Sequence, residues 1–179
     1  DVRAGHVYNV PDASGYIKLD AMENPYELPP HLRQELATRL ADAVLNRYPV
    51  ASYATLKQKI RENLGVPAGY DVILGNGSDE IISIIATATA RQDKRAVLMA
   101  PSPAFVMFQR SAQFAGMDYV GVPLKADFSL DREAMLAAIE KHRPAVVFLA
   151  YPNNPTGNLY DEADMIAIIE ALGETGIAV

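Results

Sequence analysis

The sequence has no cysteine. That excludes a disulfide framework and a thiolate metal site. Its three histidines, His6, His31 and His142, are scattered and make no metal-ligand spacing. No lysine or arginine cluster stands out and the formal net charge is −6, so a nucleic-acid surface is not expected. No apolar run approaches the ~20 residues of a membrane span, and no signal peptide is visible. A cytoplasmic enzyme fits these absences. A Walker-type Gly-Lys-Ser/Thr and a Gly-x-Gly-x-x-Gly are both missing, which speaks against a nucleotide-binding domain of those kinds. Internal repeats and low-complexity segments are also lacking.

What is present is an ordinary globular composition, half hydrophobic and 21% charged, long enough for a real core. Residues 1–29 are irregular and rich in turn formers. A helix is expected from Pro30, with Leu32, Leu36, Leu40 and Val44 as its apolar stripe. A second is expected from Ser52, as N-cap, to Leu64. From residue 70 the rhythm changes to strands at 72–74, 96–100, 119–122, 145–150 and from 176. They alternate with helices at 78–90, 103–115, 130–141 and 161–172. The 78–90 helix is apolar almost all round and is expected to be buried. Asp131 is a candidate cap for the 130–141 helix. Strands alternating with helices predict an α/β fold with a mostly parallel sheet. The chain stops at Gly176-Ile177-Ala178-Val179, three residues into an apolar run, and is expected to be a piece of a longer protein.

Three strand ends carry unusual segments. After the 145–150 run comes Tyr151-Pro152-Asn153-Asn154-Pro155-Thr156-Gly157. Two prolines stiffen this loop and two amides can hold a ligand, Asn154 donating to a ligand oxygen; the same residues are also ordinary turn formers. Before the 78–90 helix lies Gly75-Asn76-Gly77-Ser78-Asp79-Glu80. It is either a phosphate cradle built from helix N-terminal amides or a plain turn capped by Ser78 or Asp79. After the 96–100 run comes Pro101-Ser102-Pro103-Ala104-Phe105, where Phe105 stacks on an aromatic ligand or packs on Phe108. In a parallel sheet these ends share one edge. A flat ring with a phosphate arm satisfies all three.

These segments resemble the fold-type I aminotransferases, which use pyridoxal 5′-phosphate (PLP). Leu19-Asp20-Ala21-Met22-Glu23-Asn24-Pro25-Tyr26 and Asn46-Arg47-Tyr48-Pro49 are similar to the histidinol-phosphate branch of that family. The resemblance covers nearly the whole chain. It implies a three-layer αβα large domain, incomplete, over residues 46–179. Residues 1–45 would be an N-terminal arm and part of a small domain. It also implies that Ser78, Asp79 and Glu80 bind the cofactor phosphate, largely through backbone amides, and that Phe105, where many relatives have Tyr, stacks on the ring. Asn154 would bond the ring's phenolic oxygen. Tyr48 would reach the partner's cofactor phosphate in a homodimer, and Tyr8 and Asn24 would close the substrate site. The implied reaction passes an amino group between L-histidinol phosphate and 2-oxoglutarate in histidine biosynthesis. A relative acting on aromatic amino acids, a threonine-phosphate decarboxylase and a non-catalytic fragment are the alternatives.

The family's cofactor-bearing lysine stands in a Ser-x-Ser-Lys-like context. The lysines here are Lys18, Lys57, Lys59, Lys94, Lys125 and Lys141, and none has that context. The resemblance therefore implies one wall of a PLP site without its lysine, and an inactive chain by itself.

Overall fold

The computed structural model describes residues 12–19, 23–49, 53–91 and 95–179. It divides into two compact units, Asp1–Leu56 and Lys57–Val179. Among the described residues no helix is long and apolar enough to cross a membrane.

The first unit holds α1 (Pro30–Ala41). Pro30 occupies the first turn, where its fixed φ suits the helix and its missing N–H costs nothing. Three of the four expected stripe residues lie on α1, but the helix ends at Ala41, so Val44 falls beyond it. None of α1 is buried; Leu32, Leu36 and Leu40 are 41%, 46% and 60% exposed. α2 (Ala54–Leu64) follows, and its expected cap, Ser52, lies outside the described residues. In the second unit Lys57 of α2 pairs with Asp71 at 3.2 Å.

The second unit is built on four parallel strands, β1 (Val97–Ser102), β2 (Asp118–Pro123), β3 (Val146–Val147) and β4 (Ile177–Ala178), in the order β2-β1-β3-β4. Its helices are α3 (Ser78–Thr89), α4 (Val106–Phe114), α5 (Arg132–His142) and α6 (Glu162–Leu172). Strand residues alternate between two buried clusters. Leu98, Ala100, Val146 and Phe148 meet Ile82 and Ala86 of α3 and Phe108 and Ala112 of α4. Met99, Val122 and Val147 meet Met135 and Ile139 of α5 and Ile168 and Leu172 of α6. Helices therefore cover both faces of a parallel sheet, which is why its strands read as continuous apolar runs. The three-layer α/β architecture is the expected one.

Side-chain caps start two helices. Asp131 accepts from the Ala134 amide at 3.0 Å and Asp161 from the Asp164 amide at 3.1 Å, each contributing about 1 kcal/mol. Gly176 leads into β4 where a Cβ would run into the carbonyl of Pro144.

Three expectations need correction. Residues 72–74 are not a strand: no described strand pairs with them, and Ile73 is 71% exposed. An apolar run becomes a strand only with a partner for its backbone. The helix expected from Pro103 begins at Val106, because β1 extends through Pro101 to Ser102 and residues 103–105 make the turn. α3 is buried on one side only, through Ile82 and Ala86, while Ile84 is 39% exposed.

Candidate functional site at the carboxyl edge of the sheet

The strand order reverses beside β1. The chain leaves β1 through α4 on one face to reach β2, and leaves β3 through α6 on the other face to reach β4. Loops after β1 and β3 thus lead to opposite faces of the sheet, and in such sheets the crevice between their carboxyl ends is the usual ligand position. Residues 103–105 form one lip and residues 151–158 the other.

α3 and α4 run in the same direction. Ser83 and Ser111 approach to 3.3 Å near their middles, and Thr89 and Met117 meet at 4.0 Å further on. The N-termini of both helices therefore lie at the crevice edge. At the start of α3, Gly77 has φ 83° and no side chain caps the helix, so neither Ser78 nor Asp79 acts as the cap. Ser78, Asp79 and Glu80 are all exposed. The first amides of a helix have no partner within it, and their dipole favours anions. The Glu80 carboxylate folds back to accept the N–H of Asn76.

Phe105 satisfies both sequence readings in part. Its ring meets Phe108 edge-on, with centroids 5.8 Å apart and planes at 89°, and Phe108 stacks on Phe148 at 4.5 Å. The ring is only half-buried, so part of it remains open to a ligand. Asn154 is half-buried, and its amide makes no hydrogen bond with a described residue. Its neighbour Asn153 is 2% exposed and donates from Nδ2 to the Pro103 carbonyl at 3.2 Å and to Thr156 Oγ1 at 2.6 Å. This bond joins the two lips, one residue from Asn154 and two from Phe105. From the sequence Asn153 is only one of two loop amides able to hold a ligand, not a bridge between loops. Its signal is a second amide in a turn, since turn Asn side chains commonly bond backbone.

Tyr160 was missed as well. It is 3% exposed in the α5–α6 cluster, and its hydroxyl finds no partner among the described residues. Burial pushes it up to about 12.

The remaining site residues fall in the first unit. Asn24 is exposed and accepts the Tyr26 amide at 3.0 Å across Pro25. Tyr48 is 100% exposed. Tyr8 lies outside the described residues. The structure thus places Phe105 and Asn154 on two segments that Asn153 joins to Pro103, with the Ser78–Asp79–Glu80 turn at the same edge of the sheet.

A model of the class I and II aminotransferases matches residues 14–179. The chain belongs to that family. Histidinol-phosphate aminotransferase 2 of Cupriavidus pinatubonensis is 64% identical over 171 residues, which is 96% of this chain and 46% of that protein. Histidinol-phosphate aminotransferase 1 of Ralstonia nicotianae is 61% identical over 96% of this chain and 45% of its own length. The chain spans about half the length of the curated relatives it matches. Among solved structures, histidinol-phosphate aminotransferase from Sinorhizobium meliloti in complex with pyridoxal-5′-phosphate aligns with TM-score 0.68 and 26% identity. The match covers 80% of this chain and 38% of that one. The chain is therefore a homologue of histidinol-phosphate aminotransferases, in a family whose chemistry depends on PLP.

Proposed function

We propose that this chain forms one wall of the PLP site of a homodimeric, cytoplasmic aminotransferase. The reaction passes an amino group between L-histidinol phosphate and 2-oxoglutarate in histidine biosynthesis. One observation carries the substrate assignment: 64% identity to a histidinol-phosphate aminotransferase over 96% of the chain. The residues present fit a flat ring with a phosphate arm. The uncapped α3 amides suit the phosphate, the half-open Phe105 ring suits a stacked face, and the unengaged Asn154 amide suits a ring oxygen. When bound, the cofactor supplies an electron sink for the carbon that loses its proton.

In this reading the backbone amides of Ser78, Asp79 and Glu80 hold the phosphate, and Glu80 must release Asn76 or swing aside as it arrives. Phe105 fixes the plane of the ring. Asn154 donates to the phenolic oxygen and adjusts the ring's charge. Tyr48 serves the partner's phosphate, and Tyr8 and Asn24 face substrate. Residues 1–45 form an arm and part of a small domain, and residues 46–179 part of the large domain. The six lysines of the chain lack the family's lysine context, so residues 1–179 alone bind PLP weakly at best and do not transaminate.

The test uses the intact protein with PLP, L-histidinol phosphate and 2-oxoglutarate, followed by the cofactor's absorbance. Spectral conversion by histidinol phosphate is expected. Faster conversion by an aromatic amino acid would replace the substrate assignment, and no conversion by any amino donor would refute the activity. Purified residues 1–179 should show no turnover.

A further inference from the structure

The polar groups behind the crevice form a chain that runs outward in both directions from the Asn153 amide. Asn153 Nδ2 donates to the Pro103 carbonyl on one side and to Thr156 Oγ1 on the other. The Thr156 hydroxyl passes its own hydrogen to Asn158 Oδ1. Asn158 Nδ2 then donates to the carbonyl of Phe128 at 2.9 Å. Two backbone bonds close the loop on itself, Asn153 N to Asn158 O at 3.0 Å and Gly157 N to Asn153 O at 2.7 Å.

The far end of this chain is a braced turn. Lys125 N donates to Ser129 O at 3.0 Å and Phe128 N to Lys125 O at 2.9 Å. Asp127 accepts from both the hydroxyl and the amide of Ser129 at 2.6 and 3.0 Å. Phe128 itself sits at φ 64°, a conformation costly for a bulky side chain unless its surroundings impose it. The turn is held at both ends. Leu124 N bonds Ser102 O, and Leu130 is fully buried.

We infer that Asn153, Thr156 and Asn158 are positioning residues that fix the separation of Phe105 and Asn154 by tying both crevice lips to the 125–129 turn. Each lip alone is irregular backbone with few ladder bonds, so its placement depends on such cross-links. A group gripped between Phe105 and Asn154 needs them at one distance, and supporting shells of this kind set that distance. Threonine at position 156 is specific to the arrangement. Its oxygen accepts from one amide and donates to the next, which valine cannot do and serine can. The identity of the gripped ligand rests on the function proposed above; the coupling of the lips does not.

Hydrogen exchange of the intact protein tests the coupling, and titration with PLP tests its consequence. Thr156→Val should raise exchange about tenfold in peptides covering 102–108 and 125–130, leaving α3 and α5 unchanged, because losing these half-buried bonds loosens what they join. Affinity for PLP should fall about tenfold, and the pH midpoint of the bound cofactor's absorbance should move. Thr156→Ser should restore all three. Asn158→Ala removes the last two links, from Thr156 to Asn158 and from Asn158 to Phe128, but leaves Asn153 on Pro103 and Thr156; it should loosen 125–130 alone, so the test survives if the valine variant does not fold. Exchange in Thr156→Val that stays at the wild-type level, or rises equally throughout the fold, would overturn the inference, as would failure of serine to rescue. If the wild-type protein ignores PLP while the exchange pattern holds, the coupling stands and the cofactor reading falls.

Discussion

The two units treat their apolar side chains in opposite ways. In Lys57–Val179 the sheet residues alternate into two closed clusters, and Leu98, Met99, Val146 and Val147 are fully buried. In Asp1–Leu56 the helix α1 carries an equally regular stripe and buries none of it. Periodicity therefore marks which face is apolar, not whether that face is covered. A helix of 12 residues is marginal on its own. What α1 has instead is local support, such as the Glu35–Arg39 pair at 2.7 Å, worth about 0.3–0.5 kcal/mol when exposed. Among the described residues the closed cores belong to the second unit.

The largest expected effect tests that assignment. Leu98→Ala should cost about 2–5 kcal/mol in denaturant unfolding, as deletion from a closed core does. Gly176→Ala comes next. Its new methyl would run into the Pro144 carbonyl and press on Leu172 Cδ2 at 3.2 Å. Backbone cannot yield as a side-chain tip can, so a loss of about 1–3 kcal/mol is expected from thermal melts.

Tyr160→Phe separates burial from bonding within the same cluster. The hydroxyl has no partner among the described residues, so at neutral pH its removal should change stability by less than about 1 kcal/mol. Below pH 10 both folded and unfolded chains keep the proton. Above it the unfolded chain loses it first, so stability should fall until pH reaches about 12. The loss is on the order of 2 kcal/mol and should vanish in the phenylalanine variant. The smallest effect is expected at Leu36→Ala, within about 0.5 kcal/mol because that side chain is 46% exposed. A loss there comparable to Leu98→Ala would break the contrast between the units.

Much of the fold is legible in the chain because it is written locally. Asp131 and Asp161 announce helix starts by their side-chain chemistry, and both cap as such residues do. Strand 72–74 fails for the opposite reason, since pairing is a property of two segments and only one was in view. Helix α4 starts later than Pro103, a residue suited to a first helical turn, suggests, because the bond from Leu124 to Ser102 extends β1 toward it. At the site, the segments carrying Phe105 and Asn154 were legible as turn and loop motifs. Which of two adjacent asparagines faces inward was not, because nothing in Asn153-Asn154 distinguishes them until Pro103 supplies an acceptor. Tyr160 was invisible because a tyrosine beside a helix start has no distinctive pattern.

The strand order carries a kinetic consequence. Val97 lies beside Asp118, across a single helical crossover, whereas Leu98 lies beside Val146 after two more elements have been laid down. The bond that ties the crevice lips together spans 50 positions of sequence. Distant pairings form late because chain closure must come first. The β1–β2 layer is therefore expected to assemble before the crevice exists, and the binding edge to be the last part of this unit to acquire its shape.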